Sequence, residues 1–429
     1  MIRVVVPAIL TLALLASPSV VSAGNARQGQ PELVNGCVAC HAVLEDRLAA
    51  PVGLLGDDVH AERGFSCVTC HGGDDSADVE SRAKDPTFGY EGAPVGAGMV
   101  ETCSRCHSDA ELMRRFAPAQ RVDQATEYAV SEHGRGLAEG DTNVATCVSC
   151  HGAHGVRRVS DARSPVFPLN VADTCAACHA DPALMAGYQA PGGTPPPITQ
   201  RADYQRSVHH AALTRGNDLS APTCNDCHGN HGAAPPGVGD VANVCGTCHT
   251  SFAERFNDST HGFLFDRGCT ECHGSHAVQL GTDEMLGDAA PAYCVSCHET
   301  GDAGLVAAAR MRSSIESLKR SFDEAQALVE RLTVAGMEMG DQELELALAR
   351  NQLTLARTEV HAFDADRVDP IIDAGLGILA GVDAAGVEAL AELRFRRRGL
   401  ALSLVLILLF VVALGFKVRQ LDRMSHGGG

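Results

Sequence analysis

The chain repeats one chemically distinctive pattern, Cys-x-x-Cys-His, nine times between Cys37 and His298. The nine copies use all eighteen cysteines of the chain. Two thiols at this spacing can form thioethers to one edge of a porphyrin, while the histidine that follows binds the iron from below. The pattern therefore predicts nine covalently attached c-type haems, which we number 1 to 9 in the order of their motifs.

Each motif supplies two thioether cysteines and one proximal iron ligand. The cysteines are Cys37, Cys40, Cys67, Cys70, Cys103, Cys106, Cys147, Cys150, Cys175, Cys178, Cys224, Cys227, Cys245, Cys248, Cys269, Cys272, Cys294 and Cys297. The proximal histidines are His41, His71, His107, His151, His179, His228, His249, His273 and His298.

Structural zinc and disulfides are the other common uses of paired cysteines. Zinc sites combine one Cys-x-x-Cys with a second ligand pair and do not need histidine directly after each second cysteine. The composition also favours haem, because the chain has no Trp and only 4% aromatic residues, too few for an ordinary core. Its formal net charge of −19 argues against nucleic acid and favours a basic, neutral or membrane-bound redox partner.

The sixth coordination position of each iron decides whether a haem only carries electrons or also binds a substrate. Six histidines outside the motifs recur in fixed register with them, which predicts that they are distal ligands. They are His133, His209 and His261 in an aromatic-x-x-Ser-x-His phrase, and His154, His231 and His276 in Cys-His-Gly-x-His. A histidine only three residues after the proximal one cannot reach the other face of the same porphyrin. It is therefore expected to bind a different haem.

Three further histidines are candidate distal ligands. His60 precedes the second motif, and His210 adjoins His209, so that either of the two could be the ligand. His361 lies in a cysteine-free helical segment. It is either a surface or capping residue or a ligand delivered by a tail that folds back over the haems. If one candidate fails, an open position or a methionine completes that iron; the nearby methionines are Met99, Met113 and Met185.

The chain order predicts a mostly α-helical and irregular fold with little β-structure. Residues 1–23 have the charged start, apolar run and small-residue end of a secretory signal peptide, the alternative being an uncleaved anchor. Residues 24–300 form the nonahaem cytochrome domain, with one solitary haem and four related pairs. The haems require export, because covalent haem attachment takes place outside the cytoplasm.

The remaining segments predict a helical domain and a membrane anchor. Residues 301–395 are predicted to form a helical hairpin domain, with an apolar stripe from Ile315 to Leu332 and a break between Gly336 and Gly340. The hairpin is expected to end at Pro370, and another helical stretch leads to Arg394. Residues 396–418 contain a long uncharged run that predicts a transmembrane helix rather than a buried core helix. Residues 419–429 would be a short cytoplasmic tail, which excludes His426 as a haem ligand. The bulk of the chain is expected on the periplasmic side of a bacterial cytoplasmic membrane.

The Cys-x-x-Cys-His-Gly-x-His motifs, with Ser-x-His-Gly upstream, resemble the multihaem c-type cytochromes. This superfamily includes cytochrome c554, the NrfB- and MtrA-like carriers and the nitrite reductase and hydroxylamine oxidoreductase group. The resemblance covers roughly residues 30–300 and implies bis-histidine haems in alternating stacked and perpendicular pairs. The catalytic Cys-x-x-Cys-Lys motif of the nitrite reductases is missing, and no tyrosine is marked for the haem cross-link of the hydroxylamine oxidoreductases.

Three functions remain open at the level of sequence. The first is a respiratory electron carrier between a quinol-linked or membrane-bound donor and a redox protein partner. The second is an oxidoreductase of small nitrogen or sulfur compounds with one five-coordinate haem, for which haem 1 or haem 2 is the candidate. The third is a structural anchor within a larger complex, with the hairpin as an oligomer contact.

Overall fold

The computed structural model describes residues 35–190, 193–236 and 241–426, so that the predicted signal peptide lies outside the described residues. Within these ranges the regular elements are all helices, as the sequence predicts. The chain forms two compact units, one ending at Pro94 and the other beginning at Val95.

The first unit is built from short helices around motifs 1 and 2. Asn35 caps the first of them through its side-chain oxygen, which accepts from the Val38 amide. The α-helices are α1 (Gly36–His41), α2 (Ala50–Leu54), α3 (Cys67–His71) and α4 (Glu80–Ala83). The 3₁₀ turns are Asp46–Leu48, Leu55–Asp57, Ala61–Arg63 and Pro86–Phe88.

The second unit begins with a run of short helices that carry motifs 3 to 9. They are α5 (Ala97–His107), α6 (Ala110–Phe116), α7 (Gln124–Val130), α8 (Glu132–Ala138), α9 (Cys147–His151), α10 (Val171–His179), α11 (Pro182–Met185), α12 (Gln200–Tyr204), α13 (Val208–Thr214), α14 (Cys224–His228), α15 (Val241–Gly246), α16 (Thr250–Asn257), α17 (Thr260–Leu264) and α18 (Thr270–His273). Two 3₁₀ turns follow at Asp283–Met285 and Tyr293–Ser296. We call residues 95–301 the haem segment.

A bundle of three long helices follows the haem segment. They are α19 (Ala303–Val334), α20 (Gly340–Glu359) and α21 (Ala365–His426), with a 3₁₀ turn, Val360–Ala362, before the third. The break between Gly336 and Gly340 is confirmed. The buried core includes Ile315, Leu318, Ala349, Val368 and Leu379.

The structure corrects the expectation that the hairpin ends at Pro370 and that a separate helical stretch begins after it. Pro370 lies inside α21, in its second turn. The ring removes one backbone hydrogen bond there, but Val368 and Ile372 are buried against the other helices and hold the segment helical. The predicted hairpin is therefore part of a three-helix bundle, and the third helix continues without interruption into the apolar C-terminal segment.

Removing the side chain of Leu318 tests how far the bundle core stabilises the protein. Leu318 is fully buried, so Leu318→Ala is expected to lower the free energy of unfolding by about 2–5 kcal/mol. Leu348 is 48% exposed on α20, and Leu348→Ala is the matched control, expected to change it by less than about 0.5 kcal/mol. Chemical denaturation in detergent, followed by circular dichroism, measures both. Equal losses would contradict the packing described here.

Candidate haem centres

The nine motifs occupy short helices or turns that hold both cysteines and the histidine on one local segment. All eighteen cysteines carry free thiols and lie at least partly at the surface. Their sulfur atoms therefore stand in for the thioether sulfurs of attached haem. In motif 4, Thr146 and Ser149 form a capping box that starts the helix at Cys147.

Six motif histidines each face one histidine from outside the motifs. An imidazole nitrogen binds a metal at about 2 Å and lies about 1 Å from its ring centroid, so two imidazoles on one iron have centroids roughly 6 Å apart. The centroid distances in the structure are 6.2 Å for His151–His231, 6.1 Å for His133–His179, 5.9 Å for His228–His276, 6.3 Å for His209–His249, 6.2 Å for His273–His361 and 6.0 Å for His261–His298. These pairs fit an iron between two histidines, and they belong to motifs 4 to 9.

The Ser-x-His phrase delivers its histidine through a helix cap. Ser131 is buried, and its hydroxyl accepts from the Gly134 amide at 2.9 Å, which starts α8 one residue before His133. Ser207 and Ser259 do the same for α13 and α17. The aromatic residue fastens the phrase to the next motif, because Tyr128 donates its hydroxyl hydrogen to the Ala145 carbonyl at 2.8 Å. Sequence reasoning noticed this recurrence without assigning these roles to the serine and tyrosine.

The histidine pairs follow a fixed register along the chain. A histidine of the Ser-x-His phrase faces the second motif of its own repeat, as His133 faces His179. A histidine of Cys-His-Gly-x-His faces the motif two places earlier, as His231 of motif 6 faces His151 of motif 4. The backbone supports this return, since the Glu132 amide donates to the Ala233 carbonyl at 3.0 Å.

His361 occupies the position at motif 8 where this register would require a histidine from one more repeat. Motif 8 would draw its second histidine from a tenth motif, which the chain does not contain. The structure instead brings His361, in the turn after α20, to 6.2 Å from His273 with the two rings nearly parallel. Phe252 packs edge-on against His361 with centroids 5.1 Å apart.

The neighbours His209 and His210 point to different surroundings. His209 faces His249 of motif 7, whereas the ring of His210 lies edge-on to Tyr204 at 5.3 Å. The geometry therefore favours His209 at this iron. Of the remaining candidates, His60 has Nδ1 3.1 Å from an Asp58 oxygen, and His154 lies in the turn after α9.

The methionines that could complete an iron lie in the helices that contain or follow motifs 3 and 5. Met113 and Met185 are buried in the packing of α6 and α11. Met99 lies in α5, one turn before Cys103.

Several proximal histidines are oriented by a second contact on Nδ1, which leaves Nε2 for the iron. The carbonyl oxygens of Leu48 and Gly92 lie 2.8 Å from Nδ1 of His41 and His71. At His298 the partner is the Asp302 carboxylate at 3.0 Å.

Burial favours the neutral imidazole, which is the form that binds iron. It lowers the pKa of His361, of His273 and of His151, and neighbouring histidines lower the pKa of the last two further. The same direction, with burial as the main cause, holds for His133, His179, His209, His231, His261 and His276.

Cysteine contacts give the order in which neighbouring motifs meet. The thiols of Cys103 and Cys147 interact directly, so motifs 3 and 4 touch at their first cysteines. The same contact joins motifs 5 and 6, and 7 and 8; the pairs are Cys175–Cys224 and Cys245–Cys269. The other neighbouring motifs are 4 and 5, 6 and 7, and 8 and 9. In each of these pairs, the histidine of the Ser-x-His phrase that precedes the first motif faces the proximal histidine of the second. Motifs 3 to 9 therefore meet one another in consecutive order.

An ion cluster fixes the turn that carries His361. Glu359 is buried and pairs with Arg255 of α16, with 2.7 Å between Nε and Oε2, and also with Arg367 of α21. Phe363 packs on the ring of His261 with centroids 4.0 Å apart. Sequence reasoning missed this cluster, because its members are far apart along the chain and follow no repeat.

Neutralising Glu359 tests whether the cluster holds the turn in place. Glu359→Gln removes the carboxylate that pairs with both arginines and is expected to cost about 1–2 kcal/mol of stability, because the two guanidinium groups stay partly exposed to water. The lost stability comes from two charge-assisted bonds at one buried carboxylate. Chemical denaturation measures the loss. Glu324→Gln, at an exposed site on α19, is the control; an equal effect of both variants would contradict the role of the cluster.

Comparison with known families agrees with these centres. The family model described as Cytochrome c3 matches residues 59–180, and the model described as Doubled CXXCH motif matches residues 261–303. No curated protein and no solved structure matches the chain. The two matches lie over different copies of the same repeated motif, each of which attaches c-type haem, and the chain is therefore a multihaem c-type cytochrome.

Proposed function

We propose that the protein is a membrane-anchored periplasmic electron carrier with nine haems. It passes electrons between a membrane-bound or quinol-linked donor and a redox protein partner in respiration. The observation that carries the proposal is the unbroken series of six histidine pairs at motifs 4 to 9, each spaced for one iron.

Two histidines fill both axial positions of an iron and leave no place for a substrate. They also lower the potential relative to methionine ligation. The chain's own contribution is to supply and orient these ligands, to keep the centres in a continuous order and to bury them. Haem, when bound, supplies the one-electron chemistry.

The location rests on the two ends of the chain. The predicted signal peptide exports the haem segment, and the C-terminal helix is long and apolar enough to cross a membrane, with a mean hydropathy of 2.8 over its most apolar window. The haem segment then lies on the outer side and the short tail after residue 418 on the inner side. Negative net charge favours a partner with a basic docking face.

Mass spectrometry and electron paramagnetic resonance of the purified full-length protein test the proposal. We expect nine covalent haems on a chain that lacks residues 1–23, and low-spin ferric signals for the haems of motifs 4 to 9. A smaller haem count, or high-spin iron at several of these motifs, would overturn it.

A second candidate function is an oxidoreductase acting at haem 1. Motif 1 lies outside the four related pairs of motifs, and among the described residues no second imidazole faces the ring of His41. One high-spin ferric signal that shifts on adding nitrite or hydroxylamine, and that disappears in Cys37→Ser/Cys40→Ser, would support this function. Only low-spin signals would exclude it.

A further inference from the structure

The bundle and the membrane anchor share one continuous helix. Helix α21 runs from Ala365 to His426. Its first half is buried in the bundle at Val368, Leu379 and Val382, and its last apolar half is exposed. Leu393 still packs against the bundle core, directly before the arginines at 394–398. Only residues 394–398, which are exposed, separate the last bundle contact from the uncharged run that begins at Gly399.

The haem segment is attached to the end of this bundle that lies opposite the apolar C-terminal segment. Arg312, near the start of α19, donates to the Glu284 and Leu286 carbonyls, and Arg357, at the end of α20, pairs with Asp283. Among the described residues, no side chain in 317–356 or 368–393 forms a hydrogen bond or ion pair with the haem segment. The haems of motifs 8 and 9 are thus held at the end of the bundle that is distant from the apolar helix.

The length of the bundle follows from helix geometry. Ser314 lies two residues after Arg312 on α19, and its hydroxyl donates to the Asp369 carboxylate at 3.1 Å. Asp369 therefore marks, on α21, the level at which α19 binds the haem segment. From Asp369 to Gly399, where the uncharged run begins, the helix rises over about 30 residues at 1.5 Å each, or about 45 Å. A helix tilt of about 20° shortens this height by only a few ångströms.

We infer that α19, α20 and the first half of α21 form a rigid stalk that holds haems 8 and 9 about 45 Å from the bilayer. Electron tunnelling falls exponentially with distance, so a quinol dissolved in the bilayer cannot exchange electrons directly with these haems. Their partner is a protein whose redox centre is carried at a similar height above the membrane and exposed to water. One electron leaves the reduced centre of that partner for each ferric haem that becomes ferrous, or moves in the reverse direction.

This inference rests on the proposed electron-carrier function, and reduction kinetics in liposomes separate the two. The full-length protein is reconstituted with its haems on the outside of the liposomes. It is then reduced by one of two viologen radicals that have the same bipyridinium core. One viologen carries methyl groups and is soluble; the other carries a long alkyl chain and stays in the bilayer. Each radical gives one electron to a ferric haem and becomes the dication.

We expect rapid reduction by the soluble viologen and loss of rapid reduction with the bilayer-bound one. A small soluble cytochrome, which can approach the bilayer, controls for the activity of the bound viologen. Equal or faster reduction by the bound viologen would overturn the stalk while leaving the carrier function intact. Failure of both reagents to reduce the haems of motifs 4 to 9 would overturn the carrier function itself. Electron microscopy in nanodiscs measures the height directly, and haem 8 within two helical turns of the headgroups would also overturn the stalk.

Discussion

Replacing His361 by leucine is expected to convert one haem of the array, that of motif 8, from low-spin to high-spin iron without loss of haem. The covalent attachment through Cys269 and Cys272 is untouched, and His273 remains as the proximal ligand. Loss of the second imidazole opens the sixth position and raises the potential of that haem by on the order of 100 mV. Electron paramagnetic resonance and a spectroscopic redox titration measure the two changes.

Two further variants make this result specific. His361→Met offers a weaker-donor ligand at the same place and is expected to keep the haem low-spin while raising its potential. His210→Leu, at the histidine that faces Tyr204, is the matched control and should leave the haems of motifs 4 to 9 low-spin. If His210→Leu altered a haem and His361→Leu did not, the assignment of both residues would be wrong.

Removing haem 7 is expected to divide the array. Cys245→Ser/Cys248→Ser takes away its two attachment points and should lower the haem count by one. Because motifs 3 to 9 meet in consecutive order and haem 7 lies between haems 8 and 6 in that order, an electron injected at haem 9 would then reach haem 8 but no longer haems 6 to 3. A photosensitiser attached to the cysteine of the Glu299→Cys variant injects the electron at haem 9. The transient absorbance change of the haems then measures how many of them share the electron.

The matched control removes a haem from the beginning of the motif order. Cys37→Ser/Cys40→Ser also lowers the haem count by one, but passage from haem 9 to haem 3 should remain. A variant with an altered ligand, His209→Leu, keeps haem 7 attached and should slow the transfer without dividing the array. Unchanged sharing after the loss of haem 7 would show that the series has a bypass and would contradict the linear order.

Haem attachment could be predicted from the sequence because it depends only on residues that are close together in the chain. Two thiols and a histidine within five residues define haem attachment wherever the segment lies in space. The Ser-x-His and Cys-His-Gly-x-His phrases were visible for a related reason: each recurs in register with its motif. The helical stripe from Ile315 to Leu332 and the break before Gly340 also follow from short-range periodicity.

The partner of each histidine could not be read in the same way. The return of His231 to motif 4 depends on how successive repeats stack, including the bond from the Glu132 amide to Ala233. His361 lies in no repeat, and it reaches His273 because Glu359 binds arginines of two other helices. Such contacts join distant parts of the chain and do not recur at a fixed spacing, so no sequence pattern predicts them.

Patterns along the chain therefore indicate covalently bound c-type haem, a surplus of histidines able to ligate iron and an apolar segment able to cross a membrane. Tertiary structure alone decided which histidines face each other and that the bundle and the apolar segment form one rod. Pro370 illustrates the difference, because proline predicts a helix end locally, while the burial of Val368 and Ile372 stabilises the helix through it. Attachment is encoded within a few neighbouring residues, whereas the pairing of ligands and the height of the haems depend on packing across the whole fold.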